Sequence, residues 1–534
     1  MLLHVILFIS GGAVLALELL ASRILTPYFG VSLYIWTGIL SITLVALAFG
    51  YWAGGKLAAG KIASGQAARL VRLYALMPAV SAFAIVASCL VYPYLFPRLA
   101  VSDLVLGAFA ACLTLLFVPL VAASAMNPLL IAIQLARADG RTGDAGAGKV
   151  FFVSTLGSVA GVLVTAFALI PHVSNFSATL AVALVLALLS VAITVRPPVP
   201  LAARGRLGLI AAGAVIAAGM MLSLADAYIG RMWPASFGGR TWQPEAKLSS
   251  LFGTVKILRS VPEADGRYAR LYFQDGLVQN TVGSDGRSLS FYTYALEALA
   301  YAYSPQPRSA LVLGLGAGIV PMRLASRNVA VEAVEIDPAS LKAATRYFGF
   351  DPSRVRVHLA DARTQLKRCD RAHDVVFVDL FHGDGTPDYL ITRDFFVDLK
   401  RCLAPGGIAV FNTFADLEHP DAYAHLLATL RSELPFIALY RPDWPGATHI
   451  NSFIVAAASA LPAPQPVKPD YVPPQYADAL YGMMTRPLML NRGLLKDGEI
   501  VTDARNRAMH DVAIGQIIYR RSVVGVLPAA FLVN

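Results

Sequence analysis

Long, uninterrupted apolar runs fill the first 225 residues, and short alternating runs fill most of the remainder. Runs long enough to cross a bilayer lie near 2–25, 34–55, 71–92, 104–124, 150–171, 176–195 and 207–225. From Leu248 the texture changes. LFGTVKIL, ARLYFQDG and GLVQNT read as a small β-meander with turns at Asp265-Gly266 and Asp275-Gly276. A helix from about Ser288 to Tyr303 leads into ALVLGLGAGIVPMRLASRNVAVEAVEID (Ala310 to Asp337), which reads as strand, glycine turn, helix, strand and acidic end. A helix then runs from about Pro338 to Tyr347. Strands RVRVHLA and HDVVFVDL end at Asp361 and Asp379, and a helix near Thr392 to Leu403 precedes GIAVFNT. FIALYRP and NSFIVAA complete seven strands. Strands alternating with helices predict a doubly wound parallel sheet, with ligands at the carboxyl ends of its strands.

The fold class is therefore a multi-span α-helical domain followed by an α/β Rossmann-like domain with a small β-meander in front of it. The boundaries are 1–226 for the membrane domain, 227–247 for a linker, 248–287 for the β-domain, 288–460 for the Rossmann-like domain and 461–534 for a C-terminal extension. The first run lacks a basic start and a cleavage site and is followed at once by further spans, so it reads as a retained helix. The run 104–135 is too long for one ordinary helix and too short for two. Pro119 and Asn127-Pro128 are expected to break it and leave a short reentrant piece. Arg196-Pro-Pro-Val-Pro200 separates the last two runs, and Tyr228, Trp233 and Trp242 suit a membrane interface. The tail opens with the proline-rich ALPAPQPVKPDYVPP, an extended linker.

Composition strengthens the membrane reading: the hydrophobic fraction is 56% and the mean hydropathy +0.59. The net charge of +10 comes from Lys and Arg concentrated in alternate loops, so it points to membrane orientation and not to nucleic acid. That pattern puts the N-terminus in the cytoplasm, and seven spans then deliver the later domain to the far side. One span more or fewer reverses this, and adenosyl ligands are cytoplasmic, so the side stays open. The expected localisation is a bacterial inner membrane, multi-pass. The four cysteines have no metal or redox spacing, and neither a disulfide framework nor a zinc site is expected.

Glu18 lies within the first apolar run, where an ionisable group is costly unless paired or lining a cavity. It is either a polar substrate or proton site, or half of a structural ion pair with Arg23. In the later domain, Gly314, Gly316 and Gly318 let the backbone turn tightly and approach a ligand. Ile319 occupies the last glycine position of G-x-G-x-x-G, so the dinucleotide fingerprint is incomplete. Glu335 and Asp337 close the next strand, where a carboxylate can accept hydrogen bonds from ribose hydroxyls. Asp361 and Asp379 end two further strands on the same edge.

The segment ELLASRILTPYFGVSLYIWTG (Glu18 to Gly38), with FGYWAGGKLA after it, resembles the opening of bacterial membrane-fused spermidine-synthase-like proteins over roughly 40 residues. The later domain, over about residues 248–456, is similar to the spermidine synthases, polyamine aminopropyltransferases of methyltransferase-like fold. DGLVQ (Asp275 to Gln279) looks like that family's LDGVxQ segment, and its following tyrosine falls on Tyr292. The resemblance implies ribose binding by Glu335, adenine contact by Asp361 and Ala362, and proton acceptance by Asp379 at the start of a D-x-x-D-P loop. Gln279, Tyr292 and Asp384 would then line the amine site. The family's turn aspartate is Ala317 here, its second loop aspartate aligns with His382, and other departures fall at Gly253, Thr293 and Trp444. The nucleoside half of the site is kept and the amine half is altered.

The implied reaction transfers an aminopropyl group from decarboxylated S-adenosylmethionine, a co-substrate and not a tightly bound cofactor, to putrescine. Spermidine and methylthioadenosine are the products, and a homodimer is implied. Read from the residues alone, Asp384 and Asp388 are either diamine ligands or solvated loop acids. Tyr292 lines the amine site or packs in the core. His382 is a base or an exposed loop residue, and Trp444 is a pocket wall or packing. The other functions in view are a membrane-anchored S-adenosylmethionine-dependent methyltransferase, and a polyamine transporter or sensor with a ligand-binding domain. No metal site is expected.

Overall fold

A computed structural model describes residues 2–31, 33–62, 67–137, 144–195, 201–380, 387–416, 421–444, 449–465, 472–488, 498–506 and 508–534. The chain divides into two compact units, Met1–Phe237 with Arg521–Asn534, and Gly238–Arg520.

The first unit is helical: α1 (Leu2–Phe29), α2 (Leu33–Ile62), α3 (Ala67–Ser102), α4 (Leu104–Cys112), α5 (Val118–Arg137), α6 (Asp144–Val164), α7 (Ile170–His172), α8 (Asn175–Thr194), α9 (Leu201–Ser223) and α10 (Ala225–Gly230), before a short strand β1 (Ala235–Phe237). Among the described residues, seven helical segments are long and apolar enough to cross a membrane. Their outward side chains are apolar too, as with Leu44 and Trp52 on α2, Phe152 and Leu163 on α6, and Leu209 and Ile216 on α9. Exposed apolar side chains in this number are unusual for a surface that faces water. Glycines let α1 and α6 approach closely. A Cβ on Gly157 would lie 1.9 Å from the Phe8 carbonyl oxygen, and one on Gly161 would lie 2.2 Å from that of Gly12.

The expected break near Pro119 and Pro128 is absent. A π-helical turn, Leu113–Phe117, joins α4 to α5, and residues 104–136 form one apolar segment. A wider turn absorbs the bond that proline cannot make. Ser88 Oγ donates to the Thr114 carbonyl at 2.7 Å and Ser81 Oγ to the Pro119 carbonyl at 2.5 Å, so α3 covers the exposed backbone oxygens. The last residues also belong to this unit. The Phe531 ring stacks on Trp233 at 5.4 Å, and Phe176 N–H donates to the Asn534 carbonyl.

The second unit opens with β2 (Arg240–Ser249), β3 (Thr254–Ser260), β4 (Ala269–Gln274) and β5 (Leu277–Gly283), paired as an antiparallel ladder. The stretch 227–247, expected to be a linker, thus contains most of β2. Its Trp242 is buried, and register with β3 holds Gln243 opposite Arg259. After α11 (Phe291–Tyr303) come β6 (Ser309–Leu313), α12 (Ile319–Ser326), β7 (Ala330–Glu335), α13 (Pro338–Tyr347), β8 (Arg356–Leu359), α14 (Ala362–Lys367), β9 (His373–Val378), α15 (Arg393–Arg401), β10 (Leu403–Asp416), α16 (Asp421–Glu433), β11 (Phe436–Tyr440), β12 (His449–Ala457) and α17 (Pro474–Thr485).

The seven strands lie in the order β11-β12-β10-β9-β6-β7-β8. Strands β10, β9, β6, β7 and β8 are parallel, while β12 runs antiparallel to both β10 and β11. The expectation of a wholly parallel sheet fails at that edge, because only residues 441–448 join β11 to β12 and a parallel return needs a longer crossover. One face packs under α11, α12 and α17 through Leu296, Leu299, Leu324 and Met483; the other packs under α14, α15 and α16 through Leu366, Phe395 and Leu427. The ladder β2–β5 docks through Val255, Ile257 and Tyr272 on Ala317, Ile319, Ala339 and Ala343, against the glycine turn and α13. One pairing was not foreseen: Cys369, just past α14, forms a disulfide with Cys402, just past α15, across a Cα–Cα distance of 5.8 Å.

Candidate active site

A cavity of about 440 Å³ opens at the carboxyl ends of β6, β7, β8 and β9 and is closed on one side by β4 and β5. Chain reversal after β6 requires residues that tolerate a left-handed backbone: Gly314 has φ +91°, Gly316 φ +52° and Gly318 φ +76°. The three glycines do different work. A Cβ on Gly314 would lie 2.1 Å from the Asp379 carbonyl oxygen, so this glycine lets the ends of β6 and β9 touch. Gly316 faces open space in the cavity wall. Gly318, expected at the ligand, meets Phe350 instead, with a Cβ distance of 2.6 Å, and does not line the cavity. It is the N-cap of α12 and packs the turn down.

Glu335, at the end of β7, is held by two backbone N–H groups: Leu315 donates to Oε2 at 3.1 Å and Asp337 to Oε1 at 2.8 Å. Burial pushes its carboxyl up to about 7 despite those donors, with Asp337 adding to the rise. Asp337 caps α13 by accepting from Ala339 N–H, with Pro338 at the first helical position. Asp361 caps α14 in the same manner, accepting from Thr364 N–H at 2.8 Å, and its other oxygen accepts from the Tyr389 hydroxyl at 3.2 Å. Ala362 follows as the first residue of α14 and lines the cavity.

Asp379 follows β9. Asn412 Nδ2 donates to its Oδ1 at 2.8 Å, and Asn451 Nδ2 donates to Asn412 Oδ1 at 2.8 Å. Burial pushes the Asp379 carboxyl up to about 6, with the Asn412 hydrogen bond pulling the other way. Tyr292 accepts from Asn280 Nδ2 at 3.1 Å, and burial and the neighbouring Asp379 both raise its hydroxyl. Gln279 joins it on the wall.

The cavity thus unites Gly314, Gly316, Glu335, Asp361, Ala362, Asp379, Gln279 and Tyr292. Asp384 and His382 lie outside the described residues. Asp388 stands between the lining residues Pro387 and Tyr389, and the Asn506 amide bonds its carbonyl at 3.3 Å and its carboxylate at 3.4 Å. Trp444 packs its ring on Phe291 at 5.0 Å and is not among the lining residues. Ala317 faces the apolar contact with Val255 and Ile257. The lining residues that were not anticipated include Asn412, Asn451, Tyr389 and Tyr519. A polar residue closing GIAVFNT was a readable signal for Asn412. No local signal exists for Tyr519, which arrives from the C-terminal extension.

Among the described lining residues, the charged side chains are Glu335, Asp337, Asp361 and Asp379, and none is Lys, Arg or His. Such a cavity favours cations and repels carboxylates.

The chain is similar to known proteins over part of its length. Residues 289–445 match the spermine/spermidine synthase domain family. A polyamine aminopropyltransferase from Vibrio vulnificus is 34% identical over 198 residues, which are 36% of this chain and 62% of that protein. An eEF1A lysine and N-terminal methyltransferase from Bos taurus is 33% identical over 150 residues, 25% of this chain and 21% of that one. The chain therefore spans less than two thirds of either relative. The solved structure of a probable spermidine synthase from Corynebacterium glutamicum overlays with a TM-score of 0.35 at 19% identity, covering 42% of this chain and 81% of that one. The resemblance to the spermine/spermidine synthase domain family is thus carried by residues 289–445, which hold β6 to β11 of the seven-stranded sheet.

Proposed function

We propose that this protein is a polyamine aminopropyltransferase that moves an aminopropyl group from decarboxylated S-adenosylmethionine to putrescine. The observation that carries the reading is the composition of the cavity wall, which among its described lining residues has four carboxylates and no Lys, Arg or His. Both proposed reactants are cations: a sulfonium bearing a terminal ammonium, and a diamine. Glu335 accepts hydrogen bonds from the ribose hydroxyls, and the Asp361–Ala362 corner meets the adenine. Asp379, ionised above about pH 6, holds the attacking amine and takes its proton. The amine lone pair then forms the new C–N bond. The C–S bond breaks, its electron pair returns to sulfur, and neutral methylthioadenosine leaves.

A second reading is methyl transfer from S-adenosylmethionine, favoured by the match to the Bos taurus methyltransferase and by Ala317 in the glycine turn. That donor carries a carboxylate, which this wall disfavours. The deciding assay follows methylthioadenosine release from decarboxylated S-adenosylmethionine and putrescine by the full-length protein. Turnover that falls about 10²–10⁴-fold in Asp379→Asn supports the reading, and no turnover in the parent protein overturns it. The seven apolar segments and their apolar outer faces support a multi-pass protein of a bacterial inner membrane as the setting.

A further inference from the structure

The C-terminal extension builds part of the cavity, and it is tied to the walls at two places. Asp503 binds the Arg363 guanidinium through both carboxylate oxygens and accepts from the Thr392 hydroxyl at 2.8 Å, joining α14 to the start of α15. Its backbone N–H donates to Asp394 at 3.0 Å, and Asn506 bonds Asp388 in the turn that carries Tyr389. The chain continues as helix α18 (Ala508–Val526). On that helix, Arg520 is wholly buried and its Nη1 donates to the Asp275 carbonyl at 2.9 Å.

Asp275 is itself fixed. It turns β4 into β5 with φ +47°, and its Oδ1 accepts from Thr254 N–H at 3.0 Å. Gly253 leaves room for the carboxylate, since a Cβ there would lie 2.0 Å from Asp275 Oδ2. The turn it defines is flanked by Gln274, Leu277 and Gln279, all cavity-lining. Tyr519, beside the anchored Arg520, lines the same cavity.

We propose that Tyr519 is a specificity-determining residue for the acceptor, positioned by the Arg520–Asp275 contact, and that its ring packs against the alkyl diamine. The inference rests on the aminopropyltransferase reading and adds a residue that the catalytic sheet and the meander do not supply. An aromatic face attracts an alkylammonium and covers its methylene chain, so it selects a cationic, aliphatic acceptor in a way that the carboxylates alone do not. The donor's nucleoside is held by Glu335 and Asp361, on other elements, so its binding does not depend on Tyr519.

The test is calorimetry of the detergent-solubilised full-length protein, titrated with methylthioadenosine and then, at saturation, with putrescine. Tyr519→Ala is expected to weaken putrescine about tenfold and leave methylthioadenosine unchanged, while Tyr519→Phe keeps both within about twofold. Arg520→Met, which releases the anchor but retains the tyrosine, is expected to weaken putrescine in the same direction as Tyr519→Ala. Unchanged putrescine affinity in Tyr519→Ala, or an equal loss of methylthioadenosine, overturns the inference while leaving the aminopropyltransferase reading intact. A parent protein that binds methylthioadenosine but no putrescine overturns the diamine reading itself, and the role of Tyr519 falls with it.

Discussion

Asp379 does not act alone: Asn451 orients Asn412, and Asn412 holds Asp379, so the proposed base is aimed by a chain of amides across the ends of β9, β10 and β12. Asn412→Ala removes a hydrogen bond that favours the ionised carboxylate, so the carboxyl must rise further. A base works only when ionised. The acid limb of kcat/KM, expected near pH 6 in the parent, should therefore move up by about one pH unit in Asn412→Ala, as a pH–rate profile would register. Glu335 gives a second pH signature. Its carboxyl rises from 4.5 to about 7 in the fold, so its contribution to stability is fully present below about 4.5 and is lost as pH rises through about 7, roughly 3 kcal/mol in all. Ribose hydroxyls donate to the charged form and draw the value back down, so nucleoside binding near pH 7 should release protons. Calorimetry of methylthioadenosine in buffers of different ionisation enthalpy would measure that release, and Glu335→Gln should abolish it. Glu335, Asp361 and Asp379 were legible from sequence because each closes an apolar strand on the same edge. Tyr519 was not, because 140 residues separate it from Asp379 and only the folded chain brings them to one cavity.

The glycine turn shows how a legible element can still hide distinct roles. In sequence, Gly314, Gly316 and Gly318 look equivalent; in the fold they meet the Asp379 backbone, open cavity and Phe350 respectively. Gly314→Ala should cost about 2–4 kcal/mol, because neither β6 nor β9 can retreat without distorting the sheet, and nucleoside binding should fail with it. Gly316→Ala should cost only about 1 kcal/mol, the penalty of its left-handed backbone, yet weaken nucleoside binding by intruding on the cavity. Thermal unfolding run beside binding separates the two variants. The segment 104–136 carries the opposite lesson. Proline was read as a breaker, but a π-turn and two serines on α3 supply what proline lacks, and serines that distant in sequence cannot be weighed locally. The 227–247 stretch misled for a related reason, since β2 gains its partner only when β3 folds against it.

The molecule joins a helical unit clad in apolar side chains to an α/β unit whose acidic cavity suits cations. If the helical unit spans lipid, the protein should sediment with membranes, resist extraction by high salt and alkaline carbonate, and come into solution only with detergent. Release by salt would mean that those faces meet something other than a bilayer. The hydrophobic pattern made both architectures readable because long apolar helices and βα repeats each leave a regular signature along the chain. The site's charge balance was only half readable, because it depends on which side chains the fold excludes from the wall as well as on which it includes. That balance is what separates the two donors, which differ by one carboxylate. Calorimetry of the full-length protein with decarboxylated S-adenosylmethionine and with S-adenosylmethionine should find the decarboxylated donor at least about tenfold tighter, a difference of about 1.4 kcal/mol. Equal or tighter binding of S-adenosylmethionine would contradict the aminopropyltransferase reading and favour methyl transfer.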